Sequence, residues 1–277
     1  MPELPEVETI RRDLQGSVVG LMVRSLRARR ADILRGTRCR KFEEALTGRR
    51  VEDVDRVGKN LILRFSGGPA VIVNLGMSGR FYTVDADARL GKHTHVIFEL
   101  SDGRRLVFQD TRRFGHLELV PDGEVGESFS LRKVGVDAAC PGFRAKKLGE
   151  LLEGRTALLK SALLNQSLVA GLGNIYVCEV LHRAGISPEL RCNELTDEQI
   201  AGLHCAIKDV LGEAIKAQGT TISDYVTGAG VPGAFQRRLR VYGREGERCL
   251  SPGCTCKIER IVQSNRSTYY CPGCQPR

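Results

Sequence analysis

The chain is expected to fold as an α+β protein, with a leading α-helix on a strand-rich N-terminal half, a helical second half and a cysteine-bearing ribbon at the end. Three observations carry this expectation. Leu4, Val7, Ile10 and Leu14 recur at helical spacing. Short apolar and β-branched runs separated by glycine turns fill residues 61–109, and Cys249-x4-Cys254-x16-Cys271-x2-Cys274 closes the chain.

The first helix is expected to start at Pro2, because proline suits a first turn where its missing N–H has no partner to lose. It ends between Gly16 and Gly20. Strands are expected over Leu61–Phe65, Ala70–Leu75, His95–Leu100 and Leu106–Gln109, with Gly67-Gly68 and Asp102-Gly103 as hairpin turns. Such short, punctuated strands predict a sandwich or flattened barrel with the helix on one edge. Residues 121–145, rich in Gly, Asp, Glu and Pro, are aperiodic and mark the domain boundary. Beyond them, Leu148, Leu151 and Leu152, then Ala157 to Leu164, predict two short helices, and Ile175 to Ala184 a third. Thr196-x-x-Gln199 is a capping box that opens a long amphipathic helix through Leu203, Ile207, Leu211 and Ile215. Residues 219–235 are glycine-rich and read as a loop. The domains expected are a sandwich over 1–130, a linker over 131–145, a helical domain over 146–236 and the ribbon over 237–277.

Forty-two Lys and Arg against 33 Asp and Glu give a net charge of +9 over 277 residues. Nine Lys or Arg and three Glu lie between Arg237 and Arg277, a net +6 in the ribbon and its approach. A basic, structured tail points to nucleic acid. The sequence has no 18-residue apolar run and no signal-peptide core, so a cytoplasmic protein without a membrane span is expected. Ten cysteines in that compartment do not make a disulfide framework. Cys39, Cys140, Cys178, Cys192 and Cys205 are scattered and read as buried small residues.

Chemistry begins at the N-terminus. Once Met1 is removed, Pro2 carries a free amine, whose pKa of about 8 leaves a useful fraction uncharged near neutral pH. A helix start favours that neutral form and stabilises carboxylates beside it, here Glu3 and Glu6. A nucleophilic amine next to an acid/base group is the minimum for attacking an aldehyde-like carbon and forming a Schiff base. The plainer reading is that Pro-Glu-x-x-Glu merely caps a helix. At the other end, Cys249, Cys254, Cys271 and Cys274 have the spacing of a two-knuckle zinc ribbon, with Pro252-Gly253 and Pro272-Gly273 as tight turns. Cys256 is an alternative to Cys254, although only Cys254 gives the conventional spacing. Four thiolates leave no open position, so the zinc is expected to be structural.

Between these ends, Asp110-Thr111-Arg112-Arg113-Phe114-Gly115 follows a strand, and two arginines beside an aromatic suit a phosphate and a base stack. Met77 lies among glycines at a strand end, and Lys59 starts a strand after Gly58. Taken alone, the first reads as gap filler and the second as a surface charge. Asn174, after Gly171-Leu172-Gly173, is expected at a helix N-cap, where free N–H groups can hold a phosphate.

Pro-Glu-Leu-Pro-Glu-Val-Glu-Thr at 2–9, Asn-Leu-Gly-Met-Ser-Gly at 74–79, Arg-Arg-Phe-Gly at 112–115, Val-Ala-Gly-Leu-Gly-Asn-Ile-Tyr at 169–176 and the cysteine ribbon together closely resemble the formamidopyrimidine-DNA glycosylase family, in order and over essentially the full length. The resemblance implies an N-terminal β-sandwich, a helix–two-turn–helix domain and a zinc finger. It implies a monomeric DNA glycosylase and AP lyase of base excision repair, acting on double-stranded DNA that contains 8-oxoguanine or formamidopyrimidines.

By the same resemblance, Pro2 is the Schiff-base nucleophile on C1′, Glu3 the proton donor that helps to open the sugar, and Glu6 a support. Lys59 is matched to proton transfer in β-elimination, and Arg266 to a phosphate contact and δ-elimination. His93 and Arg112 are matched to DNA contacts, and Met77, Arg112 and Phe114 to the trio that fills the hole left by the extruded nucleotide. Arg113, Lys160 and Asn174 match phosphate-binding positions, and residues 219–235 the loop that closes over the lesion. Asn74, Thr111 and Thr156 depart from the usual His, Pro and Lys, outside the proposed chemistry. An endonuclease VIII-like relative, preferring oxidised pyrimidines, is the nearest alternative. The complete Met77, Arg112 and Phe114 trio argues against it. A zinc-ribbon DNA-binding protein without catalysis is a further alternative, opposed by the intact Pro2, Glu3 and Lys59.

Overall fold

The computed structural model describes residues 2–121, 123–221, 227 and 231–277. The chain divides into two compact units, residues 1–133 with 217–234 and residues 134–216 with 235–277. The break after Lys133 falls inside the aperiodic 121–145 stretch. Residues 217–234, which the sequence attaches to the helical half, belong to the first unit instead. The physical reason is a buried carboxylate, Glu6, which accepts the Thr220 N–H at 2.6 Å. The middle of the glycine-rich stretch, 222–226 and 228–230, lies outside the described residues.

In the first unit, helix α1 (Leu4–Val18) buries Leu4, Val7, Ile10, Leu14 and Val18, one face at the expected spacing. Its N-cap is Glu3 and Pro5 sits in its first turn, so Pro2 precedes the helix rather than starting it. Two sheets form the sandwich. One has the order β1 (Val23–Ala28), β7 (Thr94–Leu100), β8 (Arg105–Asp110) and β6 (Gly79–Val84). The other runs β2 (Leu34–Arg35), β9 (His116–Val120), β5 (Ala70–Asn74), β4 (Asn60–Phe65) and β3 (Val51–Val57). Between them alternate residues interdigitate: Leu61, Leu63, Phe65, Val71 and Val73 from one sheet, and Phe81, Phe98 and Phe108 from the other. The phenylalanines meet edge to face, with centroids 6.2 and 6.4 Å apart. Helix α1 packs on β3 and β6, the edge strands of the two sheets, and so closes that side of the sandwich.

Five strands and a helix of this unit go beyond the sequence reading: β1, β2, β3, β6, β9 and helix α2 (Cys39–Leu46). Strand β3 reads Val-Glu-Asp-Val-Asp-Arg-Val and looks like a charged loop until its antiparallel pairing with β4 is seen. Helix α2 buries only Phe42 and Leu46, too few to register as a periodic run.

In the second unit, helices α3 (Ala145–Leu152), α4 (Leu159–Leu164), α5 (Asn174–Ala184) and α6 (Asp197–Lys216) match the helical expectation. The Thr196–Gln199 capping box forms as read, with bonds of 3.0 and 3.2 Å. Helix α5 packs on α6 and ends at Gly185, which adopts the left-handed φ of +67° that a terminating glycine favours. A short parallel pair, β10 (Val136–Asp137) and β11 (Val169–Ala170), and the hairpin β12 (Glu259–Gln263) and β13 (Arg266–Tyr270) complete it. Among the described residues no helix is long and apolar enough to cross a membrane.

Candidate active site

The N-terminus is built from two carboxylates. Glu3 and Glu6 form a reciprocal capping box, in which the Glu3 N–H donates to Glu6 Oε2 at 2.8 Å. Glu6 Oε1 takes the Thr220 N–H, so one buried carboxylate joins the start of α1 to the 217–234 segment. Gly219 is required there: it has φ +82°, and a Cβ would lie 2.8 Å from Glu6 Oε1. Pro2 is buried and Glu3 only 3% exposed, at the positive end of a 15-residue helix. The capping reading of this stretch therefore holds. Glu3 caps the helix, and the same geometry gathers an amine position and two acids.

Lys59 is tied to this end indirectly. It occupies the two-residue turn between β3 and β4 after Gly58, whose φ is +58°. Arg56 donates to the Gly58 carbonyl at 2.9 Å and to Glu8 of α1 at 3.0 Å, which fastens the Lys59 turn to the first turns of the helix. Burial alone would push the Glu8 carboxyl up. Hydrogen bonds from Arg11, Arg12 and Arg56 outweigh it and hold the group at about 2, well below its ordinary 4.5. The sign follows. The stabilisation is whole above about pH 4.5 and is lost as pH falls toward 2, where the folded form also protonates. Glu8→Gln is expected to lower stability at pH 7 by about 2–3 kcal/mol. That difference should close in acid, and thermal melts at pH 7 and pH 2.5 check it.

The second group sits on two loops locked together. Asp110 is fully buried at the end of β8; one oxygen accepts the Ser78 hydroxyl at 2.5 Å and the Arg112 N–H at 3.2 Å, the other the Gly115 N–H at 2.8 Å. Residues 111–115 are thus wound around one carboxylate, which sustains a left-handed φ of +57° at Arg113. Gly76 touches the neighbouring loop so closely that a Cβ would lie 2.5 Å from the Gly115 nitrogen. Met77, 41% exposed, and Phe114, 57% exposed, therefore stand on one rigid platform. Arg112 lies over the Phe114 ring at 4.8 Å, and Arg113 pairs with Asp32 at 3.1 Å. His93 adjoins them, its carbonyl taking the Asp110 N–H at 3.1 Å. The structure brings the Met77, Arg112 and Phe114 trio together. Asn74 supports it: its Nδ2 donates to Asn60 at 2.8 Å and its Oδ1 takes the Gly76 N–H at 3.0 Å.

In the second unit, Lys160 and Asn174 both donate to the Ser267 carbonyl of β13, at 3.2 and 2.9 Å. Lys160 is 1% exposed and also donates to the Thr268 hydroxyl at 2.5 Å; burial and the nearby Arg266 pull its ammonium below its usual range. It braces the hairpin. The cap of α5 is Gly173, so Asn174 is the first helical residue and not the N-cap the sequence suggests. Its Oδ1 is buried without a partner among the described residues. Arg266, exposed, follows the Ser264-Asn265 turn, whose φ values of +48° and +58° give the twist a two-residue hairpin needs.

The sulfurs of Cys249, Cys254, Cys271 and Cys274 all lie within 4.8 Å of one another. Cys249 and Cys274 are 3.7 Å apart, Cys254 and Cys271 3.6 Å. Metal–sulfur bonds near 2.3 Å in a tetrahedron give edges of about 3.8 Å, so these four residues can hold a metal ion. Cys256 is not in this group. His182 stands behind the cluster, with Nε2 3.7 Å from Cys249 Sγ.

Residues 1–117 match the formamidopyrimidine-DNA glycosylase N-terminal domain, and residues 134–226 the formamidopyrimidine-DNA glycosylase H2TH domain. The chain belongs to the formamidopyrimidine-DNA glycosylase family. The formamidopyrimidine-DNA glycosylase of Methylobacterium sp. (strain 4-46) is 43% identical over 296 residues, covering 100% of this chain and 99% of its own. Among solved structures, a point mutant of Lactococcus lactis FPG in complex with a Fapy-dG containing DNA is similar at TM-score 0.92 and 36% identity, over 100% of both chains. MutM in complex with carbocyclic 8-oxo-G containing DNA is similar at 0.91 and 37%, again over 100% of both.

At the 74–79 and 111–115 loops the formamidopyrimidine-DNA glycosylase motifs thus include exposed side chains, Met77 and Phe114, while the residues that hold these loops escape sequence reasoning. Asp110 organises the 111–115 loop, and Glu179, buried on α5, accepts three consecutive backbone N–H groups from Arg240, Val241 and Tyr242 at 2.8–3.0 Å. An acid that ends an apolar strand just before a glycine-closed loop is the one signal that could have found Asp110. Nothing local distinguishes Glu179, whose partners lie about 60 residues on. Cys205 is exposed on α6, not buried as expected; of the five scattered cysteines, Cys178 and Cys192 are buried.

Proposed function

We propose that this chain excises oxidised purines, 8-oxoguanine and formamidopyrimidines, from double-stranded DNA and then cleaves the strand, acting as a monomer in the cytoplasm. The observation that carries the reading is the N-terminal constellation: Pro2 and Glu3 at a helix start, with Glu6 binding both Glu3 and Thr220. Reaction at C1′ inside a duplex requires the nucleotide to be extruded, which costs a few kcal/mol and less for a damaged base. Met77, Arg112 and Phe114 are suited to fill the gap, and His93, Arg113, Lys160 and Asn174 to hold the backbone.

Pro2, freed of Met1, attacks C1′ as the bond to the base breaks. Glu3 delivers a proton to the ring oxygen, opening the sugar to an iminium. Lys59 serves proton transfer while a C2′ proton is lost and the 3′ phosphate departs. Arg266 binds the phosphate that leaves in the second elimination. Zinc is the ion we assign to Cys249, Cys254, Cys271 and Cys274, where it supplies structure alone.

The test is a panel of end-labelled duplexes carrying 8-oxoguanine, formamidopyrimidine or an oxidised pyrimidine. Cleavage is expected to favour the purine lesions by about tenfold or more, a ratio that pocket contacts readily supply. Cleavage confined to oxidised pyrimidines overturns the assignment in favour of an endonuclease VIII-like activity.

A further inference from the structure

A second exposed phenylalanine in the first unit is held by a network of its own. Phe129 is 58% exposed. Its N–H donates to Glu118 Oε1 at 2.9 Å, and the N–H and hydroxyl of Ser130 donate to Glu118 Oε2 at 3.0 and 2.6 Å. Glu118 is a buried residue of β9. Since the Ser130 hydroxyl gives its proton to Glu118, it accepts from His116 Nε2, 3.0 Å away. Burial, with Arg35 nearby, holds the His116 imidazole down at about 4, so it is neutral and keeps this tautomer at physiological pH. A carboxylate with three donors fixes the 128–130 turn firmly against the sheet.

Two guanidiniums are what that turn presents. Arg35 lies 4.4 Å and Arg132 5.3 Å from the centroid of the Phe129 ring. Arg35 reaches it because β2 pairs in parallel with β9, which sets Arg35 opposite Glu118. No ion pair engages Arg35 or Arg132 among the described residues, and Glu118, in register with Arg35, is occupied by the turn. The cluster is continuous with the wedge platform. Strand β9 starts at His116, one residue beyond Gly115, and Asp32, three residues before Arg35, pairs with Arg113.

We propose that Arg35 and Arg132, held over Phe129, form a second clamp for DNA phosphates beside the wedge loop. This rests on the DNA-directed function above. Guanidinium forks bind phosphate bidentately, and stacking on an aromatic ring fixes their planes before the ligand arrives, so less side-chain freedom is lost on binding. The occupant is the sugar–phosphate backbone: the cluster presents two guanidiniums that make no ion pair among the described residues, since Glu118 is taken up by the turn, and offers no set of groups for reading a base.

The experiment measures binding to a duplex with a tetrahydrofuran abasic analogue over a salt series. Arg35→Ala and Arg132→Ala are each expected to lower the slope of log affinity against log salt by about one, and the double variant by about two. Phe129→Leu keeps both charges but removes the platform. It should weaken binding severalfold and leave the slope near wild type. Phosphate-ethylation interference should show the double variant losing one or two positions that wild type requires. Thermal melts establish that each variant is folded, and Phe129→Leu stands in where an alanine variant is not. A folded double variant with the wild-type slope and interference pattern overturns the clamp, as does wild-type affinity in Phe129→Leu. Failure of wild type to cleave oxidised DNA overturns the parent function instead, so the two failures are distinguishable.

Discussion

Glu3→Gln is expected to reduce borohydride-trapped adduct on an oxidised-purine duplex by about two to four orders of magnitude, the usual worth of a positioned proton donor. The substitution is well suited to the question. Glu3 caps α1 through a carboxyl oxygen, and a glutamine amide oxygen can accept the same bond, so the helix start and its link to Glu6 should survive. What disappears is the proton. Melting temperature should therefore stay near wild type while trapping falls, a separation that a merely structural role for Glu3 does not give. Pro2→Gly tests the other half, replacing the ring amine by a primary one on a freer backbone. Its trapping should also fall, and in wild type the cross-linked peptide should carry the sugar on Pro2. Wild-type trapping in both variants, or a cross-link on a lysine such as Lys59, would falsify the mechanism. Intact-mass measurement of the wild type should show Met1 removed, since a retained Met1 leaves Pro2 as an amide.

What sequence could and could not reveal divides along a physical line. Elements whose signal is local were legible. The α1 face repeats Leu4, Val7, Ile10 and Leu14; the Thr196–Gln199 box closes within four residues; and Gly67-Gly68 and Asp102-Gly103 turn where glycines must, Gly103 at φ +92°. Elements whose stability comes from partners far along the chain were not. Strand β3 is charged because one face meets water, and it becomes a strand only by pairing with β4. The site shows the same division. Cys249, Cys254, Cys271 and Cys274 were readable from spacing, whereas Asp110, Glu118 and Glu179 act through backbone N–H groups that no motif records. Lys160 shows how position misleads about environment. A lysine matched to phosphate binding lies buried, with two of its protons engaged by β13.

Removing the metal is expected to abolish lesion-DNA binding, weakening it by about two orders of magnitude or more as folded phosphate contacts are lost. The ribbon has little else to hold it. Its small core consists of Cys178, Val241, Cys249, Ile258 and Cys271, so two of the five buried members are themselves ligands. Strands β12 and β13 have five residues each, and an isolated hairpin of that size is marginal in water. Structural zinc contributes about 10–16 kcal/mol in comparable peptides, far more than this hairpin can supply. The loss would spread inward. Lys160 and Asn174 both donate to Ser267, and Lys160 also to Thr268, so an unfolded hairpin leaves an inward-pointing ammonium without its acceptors and removes Arg266 from its turn. Elemental analysis should find one zinc per chain. Chelation should lower the melting temperature together with DNA affinity, and added zinc should restore both. Cys249→Ser and Cys271→Ser are expected to reproduce the chelated state, whereas Cys256→Ser, outside the four-sulfur group, should retain zinc and bind DNA. A metal-free protein that binds lesion DNA as tightly as the holoprotein would show that the ribbon folds on its apolar contacts alone.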